Sequence, residues 1–261
     1  MYTTYEGGVY IIKADTKEII KNFSKSGNVY YAVYSNNGDK LVVAYTREPT
    51  EKEQNKGIRL NFIVDIHETV KFEKTKTLRL SIPNDPDGEL FGSNIFETYR
   101  FNSFNCAFSQ DDNYLTAGSM GKNIAVYSFE LKKFAPVYKG HSGRVMFVVF
   151  SDDGNYMAST SKDETVKLWD IKGGNTIITL KGHSGNVNSA SFSPDSKYLA
   201  SASNDETVKI WDVKTSALVH TLKGFDSEVI SVKFSPDGKY LAAGCEDKVL
   251  VWKTEDILKI D

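Results

Sequence analysis

The sequence predicts an all-β protein built from repeated four-stranded antiparallel units, and three observations carry that expectation. A unit of 42 residues repeats, with Gly140-His141 recurring at Gly182-His183 and Trp169-Asp170 at Trp211-Asp212. Inside the unit, β-rich runs (Asn188 to Phe192, Tyr198 to Ala202, Thr207 to Trp211 and Ala217 to Leu222) alternate with turn formers such as Ser193-Pro194-Asp195-Ser196 and Ser203-Asn204-Asp205. A lone meander of four short strands cannot bury both of its faces, so such units must stack on copies of themselves.

The stretch from Lys139 to Gly224 closely resembles the WD40 family, whose Gly-His and Trp-Asp dipeptides frame each repeat. The resemblance implies a β-propeller of four-stranded blades around a central channel. It also implies a buried network in each well-formed blade, made of His141, Ser159, Asp163 and Trp169, then His183, Ser201, Asp205 and Trp211. Ser161 and Ser203 are the other second-strand hydroxyls in reach of that role. The chemistry is coherent, because a buried carboxylate needs donors and a fully satisfied network rigidifies its blade. A His, Ser and Asp set also has the composition of a catalytic triad. Its recurrence in adjacent repeats, each time tied to a Trp, favours the structural reading.

The remaining chain is expected to supply less regular blades. Residues 1–28 start in mid-blade: Val9 to Ile12 matches a third strand, Glu18 to Phe23 a fourth, and Met1 to Tyr5 a short piece of a second. Residues 29–82 form a degenerate blade, with strands at Tyr30 to Tyr34, Lys40 to Tyr45, Ile58 to Ile66 and Thr77 to Ile82. Ile58, Leu60, Phe62 and Val64 alternate onto one face, and the polar run 47–57 reads as a solvated loop. Residues 83–101 are a long connection carrying Leu90, Phe91, Ile95 and Phe96, which either pack over a neighbouring blade or bind a partner.

Residues 102–139 form a blade whose network residues are replaced by Ala117, Gly121 and Tyr127, with Tyr99, in the connection just before it, standing where the His would be. After the two full repeats at 140–181 and 182–223, the last blade, 224–261, has Phe225 and Ala243 for the His and Ser but retains Asp247 and Trp252. Asp256 to Lys259 is expected to close it as a fourth strand. The count is five complete blades plus an incomplete N-terminal one, which gives six, or seven if the chain is a fragment. An open six-bladed ring could be completed by a partner strand, as in some vesicle-coat and nuclear-pore members of the family, or by Ile257 to Ile260.

Composition narrows the function. The chain has 261 residues, 40% of them hydrophobic, and a net charge of −2, which argues against general binding to nucleic acid or a membrane surface. Cys106 and Cys245 are expected as reduced thiols of a cytoplasmic protein, a nuclear one being the alternative. No phosphate-binding glycine loop, nucleophile elbow or metal-ligand spacing occurs, so neither cofactor nor metal is expected, and the carboxylate pairs Asp111-Asp112 and Asp152-Asp153 fall at turns. The expectation is a non-catalytic scaffold or adaptor that binds proteins or peptides within a larger complex. A motif reader at the channel mouth and a regulatory subunit of an enzyme are the alternatives. In the family, partners often dock on loops before the first strand and after the second. The matching residues here are Arg144, Lys162, Asn186, Asn188, Asn204, Glu228 and Glu246.

Overall fold

The computed structural model describes residues 2–3, 8–12, 19–24, 29–47, 50–55, 58–69, 73–83, 106–116, 122–134, 138–171 and 176–258. They fall into two compact units, Met1–Phe108 and Ser109–Asp261.

In the first unit, β1 (Tyr2–Thr3), β2 (Gly8–Ile12) and β3 (Ile19–Ser24) make a three-stranded antiparallel sheet in that order. Thr3 pairs with Val9 as Thr160 pairs with Val166 in a full repeat, so β1 is the expected fragment of a second strand. The second sheet is β4 (Val29–Tyr34), β5 (Lys40–Arg47), β6 (Ile58–Glu68) and β7 (Lys74–Pro83). The run 47–57 is not loop throughout: β5 extends through Arg47, and Glu51–Gln54 forms one helical turn, α1. The amides of Gln54 and Asn55 donate to the carbonyls of Thr50 and Glu51 at 2.8 and 2.9 Å. Glu, Lys and Gln are good helix formers, which a reading of polarity alone passes over.

Leu41 pairs with His67 in the register in which Met157 pairs with Trp169. His67 therefore occupies the tryptophan position of this sheet, and Asp65 occupies that of Lys167. The ladder bears this out chemically. Lys167 Nζ donates to Thr179 across the third and fourth strands at 2.6 Å, and Thr77 donates to Asp65 across the same pair at 2.6 Å. The buried Asp65 also accepts from the Tyr45 hydroxyl at 3.1 Å.

The second unit opens with β8 (Tyr114–Thr116), β9 (Asn123–Ile124), β10 (Val126–Ser128), β11 (Lys133–Phe134) and β12 (Tyr138–Lys139). These form one ladder of the repeat in pieces: Ile124 pairs with Tyr138 and Tyr127 with Phe134, as Val166 pairs with Leu180 and Trp169 with Thr176. Tyr127 is buried in the tryptophan position and makes edge contacts with Phe129 and Phe134. The other expected replacements, Tyr99, Ala117 and Gly121, lie outside the described residues, as do Leu90, Phe91, Ile95 and Phe96.

Two regular sheets follow. One is β13 (Val145–Phe150), β14 (Tyr156–Ser161), β15 (Thr165–Asp170) and β16 (Thr176–Lys181). The other is β17 (Val187–Phe192), β18 (Tyr198–Ser203), β19 (Val208–Asp212) and β20 (Leu218–Leu222). The last sheet has, among the described residues, β21 (Ser231–Phe234), β22 (Tyr240–Gly244) and β23 (Val249–Lys253).

The expected closing strand at Asp256 to Lys259 is corrected: Thr254–Ile257 is a helical turn, α2. Glu255 and Asp256 sit in its first turn, where acidic side chains favour the helix N-terminus, and Ile257 is buried in the core. Ile257 is thus not available to a strand of the N-terminal sheet, and the last of the five sheets expected to be complete is three-stranded among the described residues.

The same turn recurs between first and second strands. Ser35, Ser109, Ser151, Ser193 and Ser235 donate their hydroxyls to Asn37, Asp111, Asp153, Asp195 and Asp237. The third residue beyond each Ser has a positive φ: Gly38, Asp112, Gly154, Ser196 and Gly238. A carboxylate or amide that accepts locally supports such a turn, which is the role of Asp111 and Asp153.

Sheets stack through alternating apolar faces. Ala158, Val166 and Leu168 pack with Ala190, Phe192 and Leu199, while Ala200, Ala202, Val208 and Ile210 pack with Val232, Phe234, Leu241 and Ala243. Cys106 is buried and Cys245 half-buried, and neither is in a disulfide.

Candidate protein-interaction site

The two full repeats carry the same hydrogen-bonded chain. His141 Nδ1 lies 2.8 Å from Asp163 Oδ2, His141 Nε2 lies 2.7 Å from Ser159 Oγ, and the Trp169 indole N–H donates to Ser159 Oγ at 2.8 Å. In the next repeat the corresponding distances are 2.8, 2.8 and 2.8 Å through His183, Asp205, Ser201 and Trp211. The proton order follows from the donors. Since the seryl oxygen accepts from the indole, its own proton goes to Nε2, and the imidazole proton on Nδ1 goes to the carboxylate. Ser159 and Ser201 are fully buried, each engaged by an imidazole on one side and an indole on the other.

Each Asp also gathers donors that the sequence reading missed. Thr165 and Thr207 donate their hydroxyls to Asp163 and Asp205 at 2.6 and 2.7 Å, and the amides of Ser142 and Ser184 donate at 2.9 and 3.1 Å. The Asp-x-Thr spacing, present in both repeats, is the signal that could have found them. Ser161 and Ser203 accept from the Asp163 and Asp205 amides instead of joining the network. Gly143 and Gly185 permit the close approach, since a Cβ at either would lie 2.6 or 2.9 Å from the same Asp amide nitrogen.

Where the network is absent, its shape survives. Phe225 takes the place of the His, and its ring lies 6.0 Å from Trp252 at 64°, against 6.3 Å and 65° for His183 and Trp211. Asp247 is exposed at its short turn, where the Cys245 thiol contacts its Oδ1 at 3.2 Å.

In the second repeat the electrostatics favour a neutral His183 beside an ionised Asp205. Burial pushes His183 down, outweighing the opposing pull of Asp205. Burial alone would raise Asp205, but the Thr207 hydroxyl, His183 and the Ser184 amide hold it below the usual carboxylate range. Asp163 is held lower in the same way, by His141, Thr165 and the Ser142 amide against burial. Both kinds of group are depressed in the folded chain, so the unfolded chain binds more protons in acid. Stability is therefore expected to be full at neutral pH, to decline as pH falls below about 6.5 through His183, and to fall further below about 4 through the two carboxylates. Urea midpoints measured between neutral pH and pH 3 check this, with His183→Phe flattening the upper part of the decline.

The network fixes the loops that carry the candidate contact residues. With Asp205 anchoring both the loop after His183 and its own turn, the Asn204 amide donates to the Asn186 carbonyl at 2.9 Å. Asn188 Nδ2 donates to Asn204 Oδ1 at 2.6 Å and to the Val229 carbonyl at 2.9 Å. Asn204 Nδ2 then donates to Glu228 Oε1 at 2.8 Å. The result is a polar ridge that crosses from one sheet to the next. In the preceding repeat, the Lys162 amide donates to the Arg144 carbonyl at 2.8 Å, so those two are brought together as well. Glu246 is exposed at the last turn and is not part of the ridge's hydrogen bonds.

Residues 102–256, more than half of the chain, match the family described as the IFT122 first beta-propeller. The chain belongs to this family. Among curated proteins, none matches it. Membership makes the stacked antiparallel sheets blades of a WD40-type β-propeller, in agreement with the repeat, the network and the registers. The IFT122-type match takes in both networks, the ridge and the Phe225-Trp252 blade.

Proposed function

We propose that this protein is a non-catalytic interaction scaffold, an adaptor subunit of a cytoplasmic multiprotein complex. The observation that carries the reading is the Asn188, Asn204 and Glu228 ridge, whose side chains are held in place before any partner arrives. Polar groups that are already ordered lose little conformational freedom on binding, so they favour a specific protein or peptide contact. The mixture of amides and a carboxylate suits hydrogen-bonded protein recognition better than a phosphate surface. Membership of a propeller family named for one component's first propeller supports the same class of function.

The test is affinity purification of the tagged chain with quantitative mass spectrometry, beside the variants Asn204→Ala and Glu228→Lys. At least one stoichiometric protein is expected to fall by about tenfold in the variants while the fold is retained, which corresponds to the loss of about 1.4 kcal/mol at a single contact residue. Profiles that do not change between wild type and both variants would remove the ridge from the interface.

A further inference from the structure

The polar ridge between the last two blades runs in one direction, and that direction specifies what it can still bind. Asn188 Nδ2 lies 2.9 Å from the Val229 carbonyl, a group that can only accept, which fixes the nitrogen of that amide on this side. The same nitrogen meets Asn204 at 2.6 Å, so the receiving atom there is Oδ1. Asn204 Nδ2 is thereby turned to Glu228 Oε1 at 2.8 Å. A side-chain amide nitrogen carries two hydrogens. Both of those on Asn188 are engaged, and so is one on Asn204. The groups left over are mostly acceptors: Asn188 Oδ1 and the exposed Glu228 carboxylate, with which no cation pairs among the described residues. One junction earlier, Lys162 and Asn186 stand in the places of Asn204 and Glu228. A cation and a neutral amide occur there, so the negative, acceptor-rich face belongs to the later junction alone.

We propose that this ridge takes the guanidinium of an arginine on the partner protein, with Glu228 as its counter-ion and Asn188 Oδ1 as a further acceptor. The inference rests on the interaction-scaffold reading of the same ridge and names the group that reading leaves open. A guanidinium carries five donors in one plane and no acceptor, which is the complement of a surface whose own donors are already engaged. Asn204 holds the Glu228 carboxylate from one side, and a carboxylate held in one orientation rewards a planar fork of donors. A lysine ammonium offers the charge without the fork and is more strongly hydrated. A phosphate or carboxylate on the partner would meet Glu228 with like charge.

The probes are acetylated, amidated tripeptides, Gly-Arg-Gly, Gly-Lys-Gly and Gly-citrulline-Gly, titrated into the full chain while NMR follows the side-chain amide signals of Asn188 and Asn204. The arginine peptide is expected to shift both signals and to bind about threefold more tightly than the citrulline peptide, which has nearly the same shape without the charge. That ratio is the scale of one exposed ion pair. The lysine peptide is expected to fall between them. Glu228→Gln keeps an acceptor for Asn204 but removes the charge, and is expected to bring the arginine peptide down to the level of citrulline. Glu255→Gln on α2, which is tied to the turn at the other end of β21, is expected to change nothing. Equal binding of the arginine and citrulline peptides, tighter binding of lysine than of arginine, or an arginine preference that survives Glu228→Gln would overturn the proposal. Loss of co-purifying proteins from Asn204→Ala beside equal binding of the tripeptides would remove the arginine assignment and keep the scaffold reading. An intact arginine preference beside unchanged purification profiles would do the reverse.

Discussion

Replacing Asp205 with alanine should lower stability by about 3 kcal/mol, the scale expected when a buried, hydrogen-bonded charge is removed and its partners are stranded. The carboxylate accepts from His183, Thr207 and the Ser184 amide, and all three lose that acceptor at once. His183 is itself buried, so its Nδ1–H would be left facing the protein interior. Asp205→Asn keeps one oxygen acceptor and should cost roughly half as much. Asp247→Ala is the matched control: that carboxylate is exposed in a blade without the His or the Ser, and its loss should change stability by less than about 0.5 kcal/mol. Urea denaturation of the three variants measures the order directly.

The second large effect is expected at Trp169. Its side chain is 1% exposed, meets Tyr138 edge-on at 5.7 Å and His141 at 6.1 Å, and gives its indole proton to Ser159. Trp169→Ala should therefore cost about 4 kcal/mol, combining a cavity in the packed sheet interface with an unmet seryl oxygen. Trp169→Phe should recover most of the packing but not the hydrogen bond. The comparison with Trp252 is informative, because that ring sits at a partly open blade against Phe225 and has no seryl partner, Ala243 standing in its place. Trp252→Ala should cost less than half as much as Trp169→Ala, and thermal midpoints of the two variants test the difference.

What the sequence disclosed, and what it did not, follows from how many residues report each feature. Gly140-His141, Ser159, Asp163 and Trp169 recur together in the next repeat, and such a set is hard to read as anything but one structural device. The N-terminal strands were legible because Asp15-Thr16-Lys17 and the apolar runs beside it copy a third-strand to fourth-strand turn. The helical turns α1 and α2 were not. Four residues of polar chain carry little pattern, and Ile257, Leu258 and Ile260 look as much like a strand as like the buried side of a helix.

Asp65 and His67 were also hidden. Nothing near them resembles a Trp-Asp dipeptide, and only the strand register, set by the Ser35 turn and the pairing of Leu41 with His67, reveals that they stand in network and ladder positions. The same holds for Phe225. As a residue it reads as a lost histidine, yet in the blade it preserves the ring contact while giving up the hydrogen bonds. Of the candidate contact residues, Asn186, Asn188, Asn204 and Glu228 were individually unremarkable polar loop positions. Their connection into one ridge depends on two neighbouring blades coming together, which no single repeat can display.

Each full repeat is stiffened by one continuous chain of hydrogen bonds, from the loop carboxylate through imidazole and hydroxyl to the indole, and in the second repeat this chain anchors the loops that carry Asn186 and Asn204. A double-mutant cycle between Asp205→Ala and Ser201→Ala tests it most directly. Both side chains hydrogen-bond to His183, so a continuous network predicts a coupling energy of about 1 kcal/mol or more, whereas independent sites add to within about 0.5 kcal/mol. Additive losses would contradict the account and reduce the network to separate contacts.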